Sequence, residues 1–225
     1  MDNPYNPPAA NYGQYVSPQD AWGRYGGFVP LQNRMLVASL AIGLAVVASG
    51  TLDVAQLTFA GQLDGTREHV GAALIVGGSG LFTVLAHLAA ALCYCLWLHR
   101  AASNVHAFGG YMTFSPGACV GWFFVPFANW VKPYRAVSEL WVASHPRAHR
   151  TKSMLDAWWA TWIISSFLQT AAGRISDMSL AGTIGLGGTL FTAIAAYFCI
   201  AVMRAISQGQ LDGAERAGIS PSQLR

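Results

Sequence analysis

The sequence predicts an all-α fold: an integral membrane four-helix bundle with a re-entrant or inner-face helical segment and a disordered N-terminal arm. Three observations predict it. Of 225 residues, 53% are hydrophobic and only 10% are charged, against about 25% charged in ordinary soluble domains. Such a chain cannot cover a water-facing surface, so its outer face has to be lipid. Four apolar stretches, 36–57, 74–98, 154–172 and 183–203, are each long enough, at about 1.5 Å per residue, to cross a hydrocarbon core of about 30 Å. Between the second and third lies 114–141, FSPGACVGWFFVPFANWVKPYRAVSELW. It starts like a span but is interrupted by Pro126, Asn129 and Lys132 before about 20 apolar residues accumulate. Pro126 removes one helical hydrogen bond, and in lipid the freed groups must find partners inside the protein.

In chain order, residues 1–30 form a polar arm rich in Pro, Asn, Gly, Gln and Tyr, with almost nothing apolar to bury, and are expected to be disordered. Its tyrosines (Tyr5, Tyr12, Tyr15, Tyr25) read as a solvated tail or as a partner-recruiting feature. A secretory signal places a basic region directly before a short apolar core; here a long, sparsely charged, Pro-rich stretch comes first, so the first span reads as a retained anchor. The membrane domain covers 31–206. A loop with Asp64, Arg67, Glu68 and His69 joins the first two spans, and 207–225 is a tail.

The basic residues orient the spans. With four spans, one side carries Arg24, Arg34, Arg100, Lys132, Arg135, Arg147, Arg150, Lys152, Arg204, Arg216 and Arg225; the other carries only Arg67 and Arg174. Eleven against two puts both termini in the cytoplasm and the protein in the cell (inner) membrane. A full crossing by 114–131 would move Arg147, Arg150 and Lys152 outside, so that stretch is expected to stay at the inner face. Seven of the eight tryptophans, Trp97, Trp122, Trp130, Trp141, Trp158, Trp159 and Trp162, fall between the end of span two and the first half of span three. Indoles favour the interface, so an aromatic layer is expected at the inner leaflet. The four cysteines (Cys93, Cys95, Cys119, Cys199) show no CxxC and read as small buried hydrophobes.

Trp97, Arg100 and Asn104 are spaced i, i+3, i+7 on the helical continuation of span two, and Tyr134, Val137 and Trp141 repeat that spacing after Pro133, which suits a first helical turn. The two faces are expected to pack on each other, with Arg100, Asn104 and Asn129 satisfying the groups freed at Pro126. The competing reading is an anionic headgroup or phosphate held by Arg100, Lys132 and Arg135. The residues Trp97, Arg100 and Asn104, Phe114-Ser115-Pro116-Gly117, Gly121-Trp122-Phe123, Pro126-Phe127-Ala128-Asn129, Pro133-Tyr134 and Trp141 resemble the pattern of domain of unknown function 4328. That resemblance covers the central block by motif and the flanking spans by hydropathy. It implies a bacterial multi-pass membrane protein of unknown role and brings no catalytic residues.

Inside span two, Ser79, Thr83, His87, Ala91 and Cys95 stand at i+4 steps, a small or polar face expected toward the bundle interior. His87 is the one histidine deep in a span. Thr161, Ser165 and Thr192, at matching depth, are its expected hydrogen-bond partners. An intramembrane ionisable residue is a functional hypothesis by default, though a satisfied packing histidine is the plainer reading. Asp53 is expected to meet Arg67 or Arg174 at the outer rim. Gly185, Thr189, Ala193 and Gly188, Thr192, Ala196 give the fourth span two small-residue faces, for packing inside the monomer or for a homodimer seam.

No HExxH, Walker loop or GxSxG occurs. No second histidine at the depth of His87 offers haem ligation, and Pro146 disfavours a metal pair at His145 and His149, so no cofactor is implied. The net charge of +3 points away from nucleic acid. The expected partners are membrane lipids, with a protein partner or a second copy through the fourth span. The leading reading is a non-enzymatic module that binds a lipid, a hydrophobic ligand or a protein at its cytoplasmic face. The alternative is a transporter, channel or intramembrane enzyme using His87 and the span-two stripe.

Overall fold

The computed structural model describes residues 27–62, 70–145 and 152–218, and the described residues are helical with no strand. Arm residues 1–26, including Trp22, the 63–69 loop with Arg67, residues 146–151 and the end of the tail lie outside them. Six α-helices follow in order: α1 (Gln32–Phe59), α2 (Val70–Ala107), α3 (Pro116–Gly121), α4 (Lys132–Ser144), α5 (Ser153–Ala172) and α6 (Met178–Arg216). Three of them, α1 with its 3₁₀ extension to Gln62, α2 and α6, are long and apolar enough to cross a membrane. α5 has 20 residues, but Asp156, Gln169 and its three tryptophans dilute its apolar content.

The four long helices stand in a row rather than a closed ring. α1 packs against α2 on one side and α6 on the other, and α6 packs against α5. Consecutive neighbours run antiparallel, and α2 and α5 are left at the two ends of the row, facing each other. The row holds because its seams carry small residues. Ala38, Ala45 and Ala48 of α1 are buried, with Ala86 and Ala90 of α2 packed on the same seam. Removing the bulk of the side chain lets backbones approach where lipid supplies no hydrophobic drive between helices. The outward faces are apolar and bare, as with Leu40, Leu74, Leu88 and Leu190.

α2 and α6 both run well past the expected span ends at 98 and 203. Their extensions, with α3 and α4, build a cap at the end of the row that carries Arg100, Lys132 and Arg135. Most of the buried large side chains are here: Trp97, Leu98, Val137, Leu140, Leu155, Met203 and Ile206 form one core. Packing also begins earlier than composition suggests, since Phe28 and Leu31 are buried within or just after the stretch assigned to the arm.

Candidate functional site

The cap is held by a polar cluster at its centre. Asn104, with 0% of its surface exposed, accepts at Oδ1 from the Val29 N–H at 3.1 Å and from Arg100 Nε at 2.9 Å. Its Nδ2 donates to the Val29 carbonyl at 2.8 Å and to Gln210 Oε1 at 3.0 Å. Gln210 Nε2 donates to the Ala101 carbonyl at 2.9 Å and to Ser144 Oγ at 3.3 Å. Arg100 also donates to the Gly27 carbonyl, and Trp97 Nε1 donates to Ser207 Oγ at 3.1 Å. The expectation that Arg100 and Asn104 satisfy the Pro126 break is therefore wrong. They clamp the non-helical entry to α1, whose backbone groups have no helical partners of their own. Asn129 does not serve the break either: its Oδ1 is buried without a partner.

The break satisfies itself by tight turns. Residues 122–124 and 128–130 are 3₁₀ turns, Asn129 N donates to the Val125 carbonyl at 3.0 Å, and Val131 N donates to that of Ala128 at 3.1 Å. Ser115 caps α3 by accepting from the Ala118 N–H at 3.2 Å, with Pro116 directly behind it, and Pro133 stands in the first turn of α4. Phe127, between the turns, has φ 61°, a conformation that costs a side-chain-bearing residue about 1–2 kcal/mol. Phe124, Phe127, Trp130 and Val131 are exposed, Phe127 by 87%. An aromatic patch thus projects from the cap beside Lys132, whose Nζ lies 5.5 Å from the Trp122 ring centroid. Trp122 Nε1 is buried and unpartnered, as is that of Trp141.

Four of the tryptophans, Trp130, Trp158, Trp159 and Trp162, form one connected group. Trp159 stacks on Trp162 at 4.8 Å and meets Trp158 at 5.3 Å. Trp159 Nε1 donates to the Trp130 carbonyl at 3.1 Å, and the Trp130 ring meets Phe167 edge-on at 5.5 Å. Tyr134 packs near Trp159 and donates to Asp156 Oδ1 at 2.5 Å. That bond, with burial second, pushes the Tyr134 phenol up to about 12. α4 does pack on α2 through Val137 and Trp141, which share a core with Trp97, but Tyr134 turns to α5 instead.

Where α2 and α5 diverge, a groove of about 500 Å³ opens between them, floored by α1 and α6 and closed at the cap end by Phe123 and Phe124. His87, Ser165 and Thr192 all line it. They share a place but no hydrogen bond. Ser165, Thr161 and Thr192 donate to their own helix carbonyls at Trp162 (2.8 Å), Ala157 (2.6 Å) and Gly188 (2.9 Å). A hydroxyl reaches the carbonyl one turn back without any help from a second helix, so these three commit their protons within their own helices. His87 does the same, its Nδ1 donating to the Thr83 carbonyl at 2.9 Å. Of these five residues only Thr83 joins helices, reaching the Ala48 carbonyl of α1 at 2.9 Å. His87, Ala91 and Cys95 face the groove rather than a sealed interior.

Asp53 also departs from expectation. It is buried and accepts from Thr189 Oγ1 at 2.6 Å, which itself accepts from Gln169 Nε2 at 3.1 Å. Arg67 lies outside the described residues, and Arg174 is exposed on the connection after α5. The partner came from α6 because Gly185 leaves room: a Cβ there would stand 2.5 Å from Asp53 Oδ1. Glycines of α6 are thus occupied within the chain, with Gly182 against Leu57 and Gly188 against Gln169, while Thr192 and Ala196 line the groove. Cys119 and Cys199 are buried, Cys93 and Cys95 partly so. Gln210, Ser207, Ser144, Tyr94 and Thr189 had no sequence signal beyond helical spacing.

Three helices able to cross a membrane, an aromatic cap and a lateral groove define an all-α, multi-pass membrane protein. Its family model carries the description domain of unknown function (DUF4328) and matches residues 61–208, so the chain belongs to that family. The match takes in α2 to α6 up to the Trp97–Ser207 contact. Comparison with curated proteins and with solved structures found no match.

Proposed function

We propose that this protein is a non-catalytic membrane module that holds a lipid or similar hydrophobic ligand at the cap end of its helices. The carrying observation is the exposed aromatic patch of Phe124, Phe127 and Trp130 next to Lys132 and Arg135. Aromatic rings with flanking cations suit the interface of an anionic leaflet. In this reading α5 is the fourth span, sheltered by its tryptophans, and both termini are cytoplasmic in the inner membrane. The 114–131 stretch dips into the inner leaflet without crossing.

Two measurements test it. A single cysteine at Arg147 in a cysteine-free background should react with an impermeant maleimide only after the cytoplasmic side is opened; labelling from outside intact cells sinks the topology. Purified protein should retain lipid, ligand or a protein partner, and alanine at Arg100, Asn129 or Trp130 should release it. If those variants alter stability alone, the binding reading goes.

A second reading, transport or intramembrane chemistry through His87, is favoured by the groove reaching that residue. With Nδ1–H committed to Thr83, the neutral ring offers Nε2 as an acceptor. Loss of flux in His87→Ala with folding intact would select it.

A further inference from the structure

The groove has dimensions that select its occupant. Along α5 its lining runs from Trp158 to Gln169, eleven steps or about 16 Å at 1.5 Å per residue. That is close to one leaflet, half of a hydrocarbon core of about 30 Å. At roughly 30 Å³ per water-sized group, about 500 Å³ takes about 17 such groups. One extended hydrocarbon chain suits that length.

The cap end of the groove is polar in a specific way. Tyr94 and Trp158 line it and are only 9% and 5% exposed. Their rings sit 6.1 Å apart. Neither the Tyr94 hydroxyl nor the Trp158 indole N–H has a hydrogen-bond partner among the described residues, and neither is among the wholly enclosed polar atoms. Polar atoms this deep normally find partners, and two donors at the mouth of an apolar slot ask for an acceptor oxygen. The middle of the lining, Ile42, Ala91, Ala195 and Ala196, is hydrocarbon, and at the far end, among His87, Ser165, Ser166, Gln169 and Thr192, the serine and threonine hydroxyls are turned back on their own helix carbonyls.

Resting on the lipid-binding reading above, we propose that the groove between α2 and α5 holds one acyl chain, entered sideways from the bilayer, with its ester or carboxyl oxygen on the Tyr94 hydroxyl and the Trp158 N–H. The chain runs from there toward His87, and the gap between α2 and α5 beyond the Tyr94–Trp158 contact is the door. The head group lies under the cap beside the aromatic patch.

The full-length protein purified in mild detergent should show one retained lipid by native mass spectrometry. Its mass separates the two sources of this chemistry, a phospholipid acyl ester or a free fatty acid. Ala91→Phe and Ala196→Phe fill the slot and should cut occupancy at least tenfold. Tyr94→Phe keeps the ring and should weaken retention about tenfold, while Leu40→Phe on the lipid face should leave it unchanged. In nanodiscs with chain-brominated lipid, Trp158 and Trp162 fluorescence should be quenched in the native protein and recover in Ala196→Phe. Folded slot-filling variants with undiminished lipid and quenching would overturn the proposal. If lipid survives them but leaves with Trp130→Ala, the ligand sits at the cap and only the groove assignment falls. If filling the slot releases lipid while Arg100, Asn129 and Trp130 variants hold it, the groove stands and the cap reading falls.

Discussion

The Asn104 side chain donates to Gln210 Oε1 at 3.0 Å, joining the ends of two parallel helices whose residues lie more than a hundred positions apart. Through Val29 the same amide holds the chain as it enters α1. Removing it leaves several buried groups without partners, each worth about 1–3 kcal/mol. Asn104→Ala should therefore lower stability by about 3 kcal/mol, and Gln210→Ala by less, since Asn104 keeps its bonds to Val29. Denaturant titration in a fixed detergent reads both, and equal losses would mean that Val29 contributes nothing.

The Asp53–Thr189–Gln169 chain ties α1, α6 and α5 at the opposite end of the row. Gly185→Ala places a methyl against the carboxylate, and the seam has to widen. A loss of about 1–3 kcal/mol is expected, as for other overpacked interiors. Thr189→Val, which keeps the shape and deletes the hydroxyl, should cost a similar amount by stranding Asp53. A Thr189→Val protein as stable as the native one would show that Asp53 has another partner.

Phe127 sets a backbone preference against a membrane anchor. Phe127→Gly relieves a positive φ and should return about 1 kcal/mol of local backbone strain, while removing an exposed ring. The expected outcome is equal or greater thermal stability in detergent together with shallower burial of the loop, read by depth-dependent quenching of Trp130. Unchanged depth would separate the ring from anchoring.

Tyr134 gives a pH signature at the alkaline side. Its phenol is raised to about 12 by the bond to Asp156, above the unfolded value near 10. The stabilisation is fully present below about pH 10 and is lost as pH rises toward 12, because the unfolded chain gives up that proton first. Tyr134→Phe should flatten the stability profile across that window. An unchanged slope would mean the hydrogen bond does not persist in solution.

The membrane character and all-helical class were legible because composition and long apolar runs are local properties; so were the Pro126 interruption and the first-turn place of Pro133. The face shared by Trp97, Arg100 and Asn104 was read correctly, but its partner was not. The sequence offered the backbone groups freed at Pro126 as partners of Arg100 and Asn104, whereas the structure supplied Val29 and Gln210 to Asn104 from the two distant ends of the chain.

What the sequence determined by itself is the solvent each stretch prefers, since helical period and hydropathy follow from residues within a turn or two of one another. Which helices touch was decided only in three dimensions. Glycines of α6 brought Asp53 to Thr189, hydroxyls turned back on their own carbonyls rather than to His87, and the row was joined through α1 and α6, leaving α2 and α5 in contact at Tyr94 and Trp158 but apart beyond them. That separation depends on the fit of whole surfaces, and no spacing along the chain records it.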